Sequence, residues 1–136
     1  MRGADLVVTI TRSKTPVFDG AWLKPGASVC AAGTSLPGGS EIDATTRQRC
    51  SRAIVEWKPQ SLVEAGEIVI GLADGSLDPS RIHDLPDMLA SPTPWRRDAQ
   101  EIVLFKAVGV GLSDLVAAAL AVQKLGGAQP VQRSGI

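Results

Sequence analysis

The sequence predicts an α/β domain built on a mainly parallel sheet. Three observations carry that prediction: short apolar, β-branched runs recur along the chain, helix-capping residues sit between them, and glycine and proline mark the junctions. The runs are nearly continuous in apolar character, as expected of parallel strands covered on both faces.

Leu6-Val7-Val8-Thr9-Ile10 is the first such strand, and Arg12 to Pro16 breaks it. Phe18, Trp22 and Leu23 form an apolar connection that ends at Pro25-Gly26. Ser28 to Ala32 is the second strand and runs into a turn from Gly33 to Ser40. Asp43 is placed to cap a helix from Ala44 to about Arg49, because its carboxylate can accept a free amide of the first turn. Ala53 to Trp57 is the third strand, stopped by Pro59. Ser61-Leu62-Val63-Glu64 has the form of a capping box, which predicts a helix start there. Ile68 to Leu72 extends the apolar pattern until Asp74-Gly75 turns the chain. A second capped helix is predicted over Leu85 to Ala90, a fourth strand over Ile102 to Phe105, and a helix from Ser113 to Leu125 stopped by Gly126-Gly127. The segment 126–136 is expected to be a flexible tail.

The first strand is unusual. It is of the buried type, yet no helix precedes it to cover it, so an exposed, pairing-competent apolar edge is expected. The helix around Ala117-Ala118-Ala119 is apolar nearly all round and also calls for a partner surface.

At 136 residues the chain suits one domain, which buries roughly two-thirds of the surface of its unfolded form. Fourteen basic and fourteen acidic side chains cancel. That balance argues against a nucleic-acid partner, since phosphate binding needs a basic excess on one face. Arg96-Arg97 is followed by Asp98 and Glu101, which reads as mixed, solvated surface. Cys30 and Cys50 give neither a disulfide framework nor metal spacing, and Cys30 reads as a small buried hydrophobe. With His83 as the single histidine, no metal site is expected. No secretory signal is visible, and the apolar stretch Leu115 to Val122 is too short to span a bilayer. A soluble, cytoplasmic setting without membrane contact is expected. Glu64 and Glu67, three apart on a helix, read as a solvated face or a cap. Trp22, Trp57 and Trp95 are too scattered to stack bases and are expected to pack under loops. Gly109-Val110-Gly111 imitates a phosphate-binding turn, but Asp114 stands where the third glycine belongs.

In order and spacing, several segments resemble one known family. They are Ala4 to Thr11 with Ser13-Lys14-Thr15-Pro16-Val17, Trp22-Leu23-Lys24-Pro25-Gly26, Ala31-Ala32-Gly33 with Pro37-Gly38 and Glu41-Ile42-Asp43, Glu64-Ala65-Gly66-Glu67, and Ile102 to Gly109. Together they resemble the ornithine cyclodeaminase/mu-crystallin family from about Ala4 to Leu125. The resemblance implies a Rossmann-like domain binding NAD or NADP, an amino-acid or cyclic-imine substrate, and a homodimeric whole. It also implies that a substrate and dimerisation domain and the first glycine-rich βαβ unit would precede Ala4. Residues 1–125 are therefore expected to be the C-terminal portion of the nucleotide domain with its exit helix. Alone they are expected to bind NAD(P) weakly or not at all and to be inactive. Two other readings are a non-catalytic, mu-crystallin-like ligand-binding protein and a truncated product without function.

The resemblance also implies site residues. Thr11 ends the first strand where relatives contact cofactor; alternatively it satisfies nearby backbone. Ala32, Gly33 and Thr34 match the turn beside the nicotinamide and its ribose. Ser35 stands where cyclodeaminating members place an acid/base aspartate, and a serine without an adjacent base is a poor proton acceptor. Gly39 and Ala107 replace a lysine and a serine that help bind cofactor in cyclodeaminases. Val108 occupies a substrate-contacting position or, equally, a core one.

Overall fold

The computed structural model describes residues 1–126. Five strands form one parallel sheet: β1 (Leu6–Thr9), β2 (Ser28–Ala31), β3 (Cys50–Val55), β4 (Ile82–Asp84) and β5 (Ile102–Lys106), in the spatial order β1-β2-β5-β3-β4. Five helices connect or follow them: α1 (Ala44–Arg49), α2 (Lys58–Glu64), α3 (Gly66–Ala73), α4 (Leu85–Ala90) and α5 (Gly111–Lys124). The predicted α/β class and parallel sheet are what the structure has.

Register explains where the core lies. Val7, Val29, Leu104, Ala53 and Ile82 face one another across all five strands, and all are buried. Phe18, Leu23, Ile42, Ala65, Ile68 and Leu77 complete the same apolar cluster from the connections and helices on that side. Side chains alternate between faces along a strand, so the next rung points away from this cluster. That rung is Val8, Cys30, Phe105, Ile54 and His83, and Val8 is 56% exposed. Leu6 and Ile10 are exposed beside it. The first strand has the composition of one covered on both faces, yet it lies at the sheet edge with one face open, in line with the expected exposed apolar edge. Cys30 is half-buried rather than buried for the same reason.

Other boundaries differ from expectation for local reasons. The helix assigned to a capping box at Ser61 begins earlier, at Lys58, with Pro59 in its first turn, where a missing amide costs nothing. Ser61 lies buried inside it. The short edge strand β4 was not expected, because only three residues pair. α5 starts at Gly111 rather than Ser113, and none of its residues is buried. Trp57 is exposed instead of lying under a loop, while Trp22 packs against the core. Beyond Gly126 the expected tail falls outside the described residues. No described helix is long and apolar enough to cross a membrane.

Because the apolar face of β1 is open, the chain is expected to self-associate. Leu6→Thr with Val8→Thr should lower the mass measured by light scattering and leave the urea midpoint nearly unchanged, since both side chains are already wet. A monodisperse monomer of the unsubstituted chain contradicts this.

Candidate active site

In an open parallel sheet, ligands sit outside the carboxyl ends of the strands. Here those ends are tied together by buried charge. Glu41 is fully buried in the loop between β2 and α1 and accepts four hydrogen bonds. Thr9 Oγ1 donates to its Oε2 at 3.0 Å, the Thr11 amide and hydroxyl donate to Oε1 at 2.6 and 2.7 Å, and the Gly33 amide donates to Oε2 at 2.9 Å. Burial pushes the Glu41 carboxyl up, but these donors outweigh it and hold it below the usual range.

Behind Glu41 lies an ion pair. Lys106 at the end of β5 and Glu67 in the first turn of α3 are both fully buried, with Nζ and Oε2 2.9 Å apart. Glu67 Oε1 also accepts the Glu41 amide at 3.0 Å, and Lys106 Nζ donates to the Thr34 carbonyl. The carboxylate thought to lie on a solvated helix face is thus part of the buried framework. The helix turn that carries it presses against the loop before Glu41. A Cβ on Gly66 would come within 1.7 Å of the Gly39 carbonyl oxygen, so only glycine allows that approach. Gly33 has a similar internal reason, because a Cβ there would lie 2.2 Å from the Thr11 amide nitrogen and 2.4 Å from Glu41 Oε1.

Arg47 of α1 secures the other side of the loop. Its buried guanidinium donates to Ser76 Oγ at 2.6 Å, to the Ile42 carbonyl at 3.1 Å and to Asp74 at 2.9 Å.

Above this framework is a hollow of about 340 Å³ of mixed character, lined by Arg12, Lys14, Gly33, Thr34, Ser35 and Leu36. Three of the residues singled out in the sequence, Gly33, Thr34 and Ser35, therefore share one hollow. Thr11 supports it from beneath, its hydroxyl proton committed to Glu41, and Ala32 joins the strand end through its amide to the Thr9 carbonyl at 2.8 Å. Ser35 is exposed on the rim and has no hydrogen-bond partner among the described residues. Val108 is not in the lining. It packs half-buried against the core, and its amide donates to Glu56 Oε2 at 2.8 Å. A second hollow of about 380 Å³, lined by Glu56, Trp57, Gln60, Pro86, Val110 and Leu112 among others, lies at the start of α5 and is mostly apolar.

The sequence reading missed Glu41, Glu67, Lys106 and Arg47 as functional supports. One signal was available: Lys106 shares the inward parity of Ile102 and Leu104 on β5, so it had to be buried with a partner.

The model of the ornithine cyclodeaminase/mu-crystallin family matches residues 1–128. The chain belongs to that family. It is 38% identical over 123 residues to a Delta(1)-pyrroline-2-carboxylate reductase of Colwellia psychrerythraea, covering 90% of this chain and 39% of that protein. The solved structure of a probable ornithine cyclodeaminase from Bordetella pertussis is 41% identical, with a TM-score of 0.84 over 95% of this chain and 42% of that one. The Delta(1)-pyrroline-2-carboxylate reductase of Thermococcus litoralis, solved with NADH and L-proline, superposes with a TM-score of 0.85 at 28% identity, over 96% of this chain and 41% of that one. The chain thus spans well under half the length of these relatives, and its fold is that of their Rossmann-like portion.

The Glu41 geometry sets a pH dependence. A carboxyl held below its unfolded value of about 4.3 stabilises the fold above that pH and loses the contribution as pH falls through the lower, folded value. Glu41→Gln should therefore be less stable than the parent at pH 7 and should lose less stability on acidification below about pH 4.3. Urea midpoints against pH check this, and parallel profiles for the two proteins contradict it.

Proposed function

We propose that the chain forms the nicotinamide side of an NAD(P)-dependent reductase acting on a cyclic imine or the corresponding amino acid. The observation that carries this reading is the hollow at the ends of β1 and β2, braced from below by Glu41 and carrying a serine rather than a carboxylate on its rim. The reaction belongs to a longer, homodimeric enzyme in which residues 1–125 complete the nucleotide domain. A substrate and dimerisation domain would cover what is open here. The relatives' names support the substrate class, and the Thermococcus litoralis structure with NADH supports the cofactor.

The residues of the hollow suit such a cofactor. The Ala32 and Gly33 amides are spent on Thr9 and Glu41 and the Lys106 contact fixes the Thr34 carbonyl, so the Thr34 amide and the Ala32 and Gly33 carbonyls are the backbone groups left to a ligand. When bound, the nicotinamide supplies or accepts the hydride. The protein's part is position: Glu41 locks Thr11 and Gly33 together, so the two strand ends present one rigid edge to the ring. Arg12 and Lys14 provide positive charge for the substrate carboxylate. Ser35 can hydrogen-bond a substrate nitrogen, but it lacks a neighbouring base and does not abstract protons. The described residues contain no glycine-rich turn comparable to the one that normally holds a pyrophosphate at a helix start, so the chain alone binds NAD(P) weakly.

Joined to the N-terminal segment of the Colwellia psychrerythraea relative, the chain should reduce Delta(1)-pyrroline-2-carboxylate with NADH or NADPH. Ammonia release from ornithine should be at least about 100-fold slower, the lower bound of what acid–base help is worth. Ser35→Asp should raise ammonia release more than imine reduction. An unsubstituted hybrid that converts ornithine to proline as fast as it reduces the imine overturns the assignment of Ser35.

A further inference from the structure

The opposite edge of the sheet holds a second polar feature that the reductase chemistry does not use. At the amino ends of β3, β4 and β5, Ser51, Arg52, Ser80, Arg81, His83 and Arg97 line a hollow of about 300 Å³. An adjoining hollow of about 220 Å³ shares Arg52 and Arg97 and adds Trp95, Ser91 and Thr93. In the sequence Arg97 read as part of a mixed, solvated surface. The fold instead brings it together with two arginines from distant segments.

The charge there is not balanced. The lining residues include three guanidinium groups and no carboxylate. Of the neighbouring carboxylates, Asp87 acts on His83, and Glu101 is the one that Arg97 engages, through its backbone amide at 2.7 Å and its Nε at 2.8 Å. The amide bond, with the Arg97 and Arg52 charges, keeps Glu101 ionised, so it offsets one of the three cations. Arg81 spends Nη1 on the carbonyls of Gln48 and Cys50 at 3.2 and 3.3 Å. Each guanidinium has five N–H donors, so both Arg81 and Arg97 retain unused ones. Burial, with the nearby Arg52 and Lys58, pushes His83 below its ordinary value; Asp87 opposes this without reversing it, and the ring is neutral at pH 7.

Two donors in this region have no acceptor. Arg52 Nε and Trp95 Nε1 are both buried and make no hydrogen bond. Arg52 Nε lies 3.9 Å from Glu101 Oε1, too far for one, and its guanidinium sits 5.3 Å from the centre of the Trp95 ring. Buried polar atoms in folded proteins are almost always paired, so two lone N–H donors beside unused guanidinium donors require an explanation. All the unmet capacity is of one kind. It is donating and cationic, matched by an acceptor-rich anion.

We propose that this hollow binds a phosphate group, either as inorganic phosphate or as the phosphate of a small monoester, between Arg52, Arg81 and Arg97. A phosphate dianion has the charge to neutralise the excess and enough oxygens to engage several forked guanidinium donors. The site lies at the end of the sheet opposite the Gly33–Ser35 hollow, so occupancy acts separately from the nicotinamide edge.

The test is titration of the full chain with inorganic phosphate and, separately, with glycerol 3-phosphate, at ionic strength held constant with chloride. The indole N–H resonance of Trp95 is followed and assigned by Trp95→Phe. A saturable shift is expected. Arg97→Gln, at a side chain 67% exposed, and Arg81→Gln should each weaken binding about tenfold. Urea midpoints identify any variant that has lost its fold. Tighter binding of glycerol 3-phosphate assigns the site to an ester, and tighter binding of inorganic phosphate assigns it to the free ion. No saturable shift up to about 10 mM of either probe, or equal affinity in the folded Arg97→Gln protein, overturns the proposal.

Discussion

The carboxylate of Glu41, buried and holding four donors, is the constraint on which the site depends. Thr9 and Thr11 belong to the exit of β1, and Gly33 to the exit of β2. Those exits are adjacent in the sheet, but strand pairing ends at Thr9 and Ala31. Beyond that point Glu41 replaces the ladder and keeps two diverging loops in register. The Glu67–Lys106 pair extends the same arrangement to β5 and α3. Such a pair adds little net stability relative to an apolar pair of equal size. Removing one partner, however, leaves a buried charge and costs about 3–5 kcal/mol. What the pair supplies is position: the Glu67 carboxylate holds the Glu41 amide, and the Lys106 ammonium holds the Thr34 carbonyl.

The hollow and the open sheet face share one architecture. Helices and connections on one side bury the rung from Val7 to Ile82, while Leu6, Val8 and Ile10 on the other side remain wet. α5 is exposed throughout. Relatives that are more than twice as long contain this fold as roughly two-fifths of their length, at 39% and 42% in two cases. The chain carries a braced strand-end edge, and exposed apolar side chains lie on the far face of β1 and along α5, among other places.

Much of this was legible in the sequence. Continuous apolar runs gave four of the strands, and Asp43 gave α1 its start, with its carboxylate accepting the Thr46 amide at 2.7 Å. The order of short motifs gave the family. β4 was not legible because three paired residues carry no periodicity. The capping-box pattern at Ser61 misled because Pro59 already opens that helix one turn earlier. Gly33, Thr34 and Ser35 were legible as one turn, but the reason for Gly33 was not: it depends on Thr11, which is distant in sequence. The buried charges were the largest omission. Glu41 and Glu67 look like surface residues one at a time, strand parity marks only Lys106 as inward, and tertiary contacts make the three a unit.

The central claim is that Glu41 fixes the two strand exits as one rigid edge. Amide hydrogen exchange at Thr11 and Gly33 tests it directly, since both amides donate to that carboxylate beyond the end of the β1–β2 ladder. Both should exchange as slowly as the amides of the buried strands, and both should become fast together in Glu41→Ala while β3 and β5 amides stay protected. Exchange at loop-like rates in the parent protein, or continued protection of both amides without the carboxylate, would contradict it.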